Sequence, residues 1–143
     1  MNKLELANEI IRFLGQRPGM DPRNYCTPRD GGEGWRAYRR EAAEVARDKR
    51  DAHALLNWAF MACDDEKMLT AFSIQGERLS LINGRLEYCA GQYYPTEYRK
   101  AVCRKLASLF WHSVPFESNN HRRNVQAKAR RYFGKGIASR WFN

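Results

Sequence analysis

Leu4, Ala7, Ile10, Ile11 and Leu14 recur at three- and four-residue intervals, the spacing that gathers side chains on one face of an α-helix. The pattern predicts a first helix, with Asn2 as its cap, Glu5 at the capping-box position and Gly15 as its stop. From Gly34 a helical period returns, with Trp35, Tyr38, Ala42, Val45 and Ala46 in one arc. Opposite that arc stand Glu41, Glu44, Asp48 and Asp51, a row of carboxylates along one helix side. Such a row can hold a divalent metal or carry acid/base chemistry. Arg40 lies four residues before Glu44 and Arg47 four before Asp51, so the simpler expectation is a solvated, charge-laced face.

"AHALLNWAFMAC" is apolar almost all round the helical wheel, through Leu55, Leu56, Trp58, Ala59, Phe60, Met61 and Cys63, which predicts a helix buried on most sides. Asp64, Asp65 and Glu66 oppose a helix C-terminus but suit an N-terminus, so a new short helix is expected through Phe72. "ERLSLINGRLEYC" admits two readings. Asn83-Gly84 between alternating apolar residues reads as a type I′ hairpin, whereas Leu79, Ile82, Leu86 and Cys89 also match a helical face. Gly84 within a helix would cost about 1 kcal/mol relative to Ala, and the hairpin is favoured. Pro95 and Glu97 then open a helix with an apolar arc of Tyr98, Val102, Cys103, Leu106, Leu109 and Phe110. Pro115 breaks that pattern, and Glu117 or Ser118 can begin the next helix. The fold class expected is therefore mainly α: a small helical bundle with a short β-hairpin near residues 78–89.

Composition refines this picture. A chain of 143 residues, 43% apolar and 13% aromatic, suits one domain spanning 1–143 with a real core, despite a mean hydropathy of −0.73. Residues 15–34 gather three of the five prolines and five of the ten glycines, which predicts an unusually long loop. Within it "PRN" and "PRD" could set Arg23 and Arg29 on one anion, but a surface loop with paired charges is the favoured reading. Glu5, Asn8, Glu9 and Arg12 interrupt any signal-peptide core. The stretch "LASLFWHSVPF" is 11 residues, short of the ~18 needed to span a bilayer. A cytoplasmic protein with no membrane partner is expected. Cys26, Cys63, Cys89 and Cys103 include no Cys-x-x-Cys pair, so reduced thiols are expected ahead of disulfides or a metal site.

The charge is what points to a function. Residues 1–98 carry 14 Lys and Arg against 15 Asp and Glu, while residues 99–143 carry 11 against Glu117 alone. The formal +9 of the chain therefore belongs to its basic C-terminal third. In "HRRNVQAKARRYF" Val125, Ala129, Tyr132 and Phe133 form a docking stripe, with Arg123, Arg130 and Arg131 on the far side. A surface so charged favours a polyanion, and the guanidinium fork suits phosphate. Amides at the helix start, Asn119, Asn120, Asn124 and Gln126, can read adenine edges. No run of Leu or Trp is present to enter lipid. The order helix, short Pro-containing turn, helix is compatible with helix-turn-helix docking.

DNA or RNA is accordingly the expected partner. The expected contacts are Lys100, Arg104 and Trp111 on the preceding helix, then Asn119, Asn120, Arg122, Arg123, Asn124, Lys128, Arg130, Arg131 and Lys135. Trp111 either stacks on a base or tucks under a neighbouring loop. The tail beyond Gly134, with Ile137, Trp141 and Phe142, is expected to fold back on the core. The competing reading is a phage- or plasmid-type inhibitor or adaptor that binds a nucleoprotein complex through the same basic and aromatic surface. His53, His112 and His121 have no partner at motif spacing, and Gly-x-Ser-x-Gly, phosphate-loop and His-Glu-x-x-His motifs are absent. No cofactor or metal is expected. A metal-dependent nuclease using His121 with Glu117 or the carboxylate row is the minority reading.

Overall fold

In a computed structural model, residues 1–16, 21–89, 95–114 and 120–143 are described. They form α1 (Lys3–Gly15), α2 (Glu33–Ala62), α3 (Asp65–Ser73), strands β1 (Leu79–Ile82) and β2 (Arg85–Tyr88), α4 (Pro95–Ser113), α5 (His121–Phe133) and α6 (Lys135–Trp141). The architecture is mainly α, with one two-stranded antiparallel sheet among the described residues.

The capping box of α1 is present: Asn2 Oδ1 accepts from the Glu5 amide at 2.9 Å, and Glu5 Oε2 accepts from the Asn2 amide at 3.1 Å. The buried face is turned from the expected one. Leu6, Ala7, Ile10, Phe13 and Leu14 are buried, whereas Leu4 and Ile11 remain exposed. Phe13 explains the rotation, because its ring meets Tyr98 of α4 edge-on at 4.6 Å and buries more area than Ile11 would.

A single helix of 30 residues, α2, spans what reads in sequence as two segments. Its first half stands largely clear of the core, with Trp35 exposed and stacked on Tyr38 at 5.5 Å between centroids. The loop of residues 21–32 lies along this half and includes a 3₁₀ turn at Pro22–Asn24, which the Gly/Pro content did not lead us to expect. Tyr25 donates its hydroxyl to Glu41 at 2.6 Å, and burial followed by that carboxylate pushes its pKa up to about 12. Arg23 pairs with Asp21 at 3.0 Å, in keeping with a loop of paired charges.

From Val45 onward α2 enters the core through Val45, Asp48, Asp51, Ala52, Leu55, Leu56 and Ala59. The segment from 53 is less enclosed than expected, since His53 and Met61 are exposed. Cys103 donates its thiol to the Asp48 carbonyl at 3.4 Å, and Trp58 meets Phe110 at 4.7 Å. Both contacts advance together along the two chains, so α4 runs parallel to α2. Every residue of the expected α4 arc is buried, and Arg99 and Lys105 are buried with them.

The hairpin takes the expected register, with Leu81 opposite Leu86 and Ile82 opposite Arg85. Asn83 and Gly84 both adopt positive φ, 52° and 74°, as a type I′ turn requires. Leu79, Leu86 and Tyr88 face the core, and the Leu86 amide donates to Glu9 of α1 at 3.0 Å. Asp64 caps α3 by accepting from the Lys67 amide at 2.8 Å, as the acidic run implies. All four cysteines are free thiols, Cys63 and Cys103 buried, Cys26 and Cys89 exposed. No helix among the described residues is long and apolar enough to cross a membrane.

The loop against α2 depends on Gly34, where an added Cβ would lie 2.0 Å from the Tyr25 carbonyl oxygen. Gly34→Ala is expected to displace residues 21–32 and destabilise the protein by about 1–3 kcal/mol, the range for an overpacked site. Limited proteolysis within that loop and a denaturant melt check this; unchanged cleavage and midpoint would contradict it.

Candidate nucleic-acid interface

On α5, Val125 and Ala129 are fully buried and Phe133 packs against the core. Phe110 is the hub of this docking, with Phe133 at 5.4 Å, Phe142 at 5.1 Å and Trp58 at 4.7 Å between ring centroids. Tyr132 does not belong to the docked stripe as expected. It is 65% exposed and touches Phe110 only by its edge at 5.9 Å. Phe142, returning from the tail, is the buried ring beside Phe133, stacked on it at 6.0 Å.

The tail folds back, as expected, but its means of attachment is polar as well as apolar. Asp51 of α2 accepts from Arg140 Nε at 2.7 Å, from Arg140 Nη2 at 2.8 Å and from Trp141 Nε1 at 2.9 Å. Asp51 is 3% exposed. Gln126 of α5 adds a bond from Nε2 to the Phe142 carbonyl at 2.9 Å, so this amide holds the tail and is not available to read a base. The expectation of a solvated carboxylate row is thus corrected at two positions: Glu44 is exposed and Glu41 half-buried, while Asp48 and Asp51 are buried. Asp51 pairs with Arg140 across the fold, not with Arg47 along the helix.

The contacts expected from sequence divide into three groups. Arg123, Arg130 and Arg131 form the outward ridge of α5, all exposed. Arg122 and Lys128 flank that ridge, each beside a hollow. The first hollow, of about 360 Å³, brings Arg122 together with Arg104 and Trp111 of α4 and with Trp141. Among the described residues, no carboxylate side chain lines it. The second, of about 240 Å³, gathers Lys128 and Arg131 with Trp58, Phe110 and Tyr132. Trp111 is half-buried and its ring meets His121 at 5.6 Å, edge-on; it is partly tucked in yet still lines the hollow.

Asn120 is exposed at the start of α5 and Asn124 is half-buried one turn on, its amide bonded to the Asn120 carbonyl at 3.1 Å. Lys135 is exposed on α6. Asn119 lies outside the described residues, as do the proposed helix openers Glu117 and Ser118 and the Pro115 turn. Lys100 is half-buried, one turn before Arg104 on α4. Its charge lowers the proton affinity of the buried Asp48.

Asp48 contrasts with its neighbour. Its Oδ2 is buried and has no hydrogen-bond partner. Burial raises its pKa above the ordinary 3.8, with Lys100 and Arg47 opposing the rise and Asp51 and Glu44 adding to it. Sequence pattern reached neither role. The signal available was phase: Val45, Ala52, Leu55 and Ala59 mark a buried stripe that passes through Asp48 and beside Asp51 once the helix is read as continuous.

Opposite outcomes are expected for the two carboxylates. Asp51→Asn should destabilise the protein by about 3 kcal/mol, the low end for a broken buried pair, because Arg140 keeps 30% of its side-chain surface exposed. Asp48→Asn should stabilise it by about 1 kcal/mol at neutral pH, since it removes an uncompensated buried charge. A raised carboxyl pKa means that the native state binds the proton more readily than the unfolded chain. The charge of Asp48 therefore costs stability at pH 7, and that cost fades as pH falls toward 3.8. Urea titrations of both variants at several pH values check this; a destabilised Asp48→Asn at pH 7, or a gain that persists at pH 3.8, would contradict it.

No family model, curated protein or solved structure matches the chain, so its own charge and geometry carry the functional reading.

Proposed function

We propose that this protein binds nucleic acid, contacting the phosphate backbone through the arginine ridge of α5 and stacking unpaired bases or sugars against the aromatic hollows beside it. One observation carries this reading. Arg122, Arg123, Arg130 and Arg131 are exposed on a helix without a carboxylate, and none of them makes an ion pair among the described residues. Four cations held within three turns repel one another, and a row of phosphates relieves that repulsion. Arginine suits the role because its planar fork meets two phosphate oxygens at once. The hollow of Arg104, Trp111, Arg122 and Trp141 adds the combination used on single strands, a cation beside an indole.

Binding through the backbone is read from salt. If the α5 cations make about four or five phosphate contacts, log K against log salt on duplex DNA should fall with a slope of about −4. Replacing Arg123, Arg130 and Arg131 together by Ala should flatten that slope by about 3 and weaken binding by about tenfold or more at low salt. Stability should change by no more than about 0.5 kcal/mol per site, because all three side chains are exposed. Trp111→Ala should weaken single-strand binding more than duplex binding. Asn120→Ala and Asn124→Ala relax sequence preference if bases are read and leave it unchanged if contact is to the backbone alone. Fluorescence anisotropy with labelled duplex, single-stranded DNA and RNA checks each statement. Unchanged affinity and salt slope in the triple variant would overturn the reading and leave an acidic protein partner, in the manner of an adaptor, as the use of this surface.

A further inference from the structure

A further hollow lies between α3 and α4. It measures about 800 Å³, within the range of small-molecule sites. Since α4 runs parallel to α2, and α3 starts where α2 ends, α3 returns beside α4 from its Ser113 end toward Lys105. The two ends of the hollow differ in chemistry. At the start of α3 stand Asp64, Glu66 and Lys67, near His112 and Ser113 of α4; toward the other end lie Ala71, Ile74, Gly76 and Leu109 with Lys105. Lysine is almost never buried unless its charge is matched. Lys105 is only 6% exposed, and it makes no ion pair or hydrogen bond among the described residues. Ser108, one turn further along α4, adds a hydroxyl to the same wall.

We propose that this hollow is a binding site for a small organic anion with an apolar body, such as a medium-chain carboxylate. The anionic head pairs with the Lys105 ammonium and is bonded by Ser108, and the apolar body lies along Ala71, Ile74 and Leu109. Asp64 and Glu66 outnumber Lys67 at the start of α3, so the net charge of that end repels the head and leaves Lys105 as its seat. Two helical turns separate Lys105 from His112, about 10 Å of rise, which is room for a chain of six to eight carbons laid along the groove. Ser108 also lines the hollow of Arg104, Trp111 and Arg122, so the two sites adjoin, and replacing Lys105 or Arg122 and Arg123 tells their occupants apart.

The test uses 8-anilinonaphthalene-1-sulfonate, an apolar anion, beside its uncharged relative N-phenyl-1-naphthylamine, with binding to the folded full chain followed by fluorescence. Lys105→Met keeps the stem and removes the charge. It should lower affinity for the sulfonate at least tenfold and leave affinity for the neutral probe within twofold, and hexanoate should displace the sulfonate from the native protein where equimolar hexanol does not. Ala71→Phe, at a half-buried position, narrows the hollow and should reduce binding of both probes. Equal sulfonate affinity in Lys105→Met and the native protein would overturn the proposal. So would displacement by hexanol as effective as by hexanoate, or loss of the sulfonate site on replacing Arg122 and Arg123 rather than Lys105.

Discussion

Asp51 is the point at which the cationic end of this chain is tied to its nearly neutral framework. Its two carboxylate oxygens receive a bidentate guanidinium from Arg140 and an indole N–H from Trp141, and the residue sits in the same buried helix stripe as Ala52 and Leu55. A paired buried carboxylate adds less to stability than its bonds suggest, because desolvation opposes them. What it supplies is orientation. With Arg140 and Trp141 held, Phe142 is carried into the ring cluster of Phe110 and Phe133. Gln126 then bonds the returning tail to α5. The ridge of arginines is presented outward because its inner face is sealed by residues that arrive from the opposite end of the C-terminal segment.

That arrangement also explains why so much positive charge is tolerated in so few residues. Arg140 is neutralised by Asp51, so one of the cations serves the fold. The arginines left on α5 are exposed, away from the core. Under the proposed function, phosphate supplies the countercharge that the protein withholds from this surface. The hollows on either side, one lined by Trp111 and Trp141 and the other by Trp58 and Tyr132, place aromatic side chains next to Arg122 and Lys128 with no carboxylate side chain among the described lining residues.

Much of the fold was legible because periodicity and punctuation agree. The Asn2 and Glu5 cap, the acidic start of α3, the Asn83-Gly84 turn and the apolar arc of α4 all rest on local chemistry, and the structure has each. The errors share a cause. Leu4 and Ile11 were placed inward, and Tyr132 was made an anchor, because a helical wheel cannot say which of two adjacent phases a neighbour will cover. Phe13 and Phe142 are the buried rings in those places, through contacts distant in sequence. Asp48 and Asp51 stand in the row expected to be solvated, yet both are buried, as are Arg99 and Lys105, of which the pattern says nothing. Their burial follows from partners or cavities that no local window contains. The exposed arginines of the candidate interface were visible in the sequence, since only a docking stripe and an uncompensated charge were needed. Trp141 and the Asp51 to Arg140 pair were not.

If Asp51 orders the cationic end, then removing its charge should release α6 and α5 before the rest of the molecule loosens. Hydrogen exchange read by mass spectrometry on the native protein and on Asp51→Asn measures this directly under native conditions. The account predicts that amides of residues 121–141 lose protection in the variant by at least tenfold, while those of α1, α3 and the hairpin change little beyond the global loss of stability. Equal protection of α5 and α6 in both proteins, or a loss spread evenly over every helix, would contradict it.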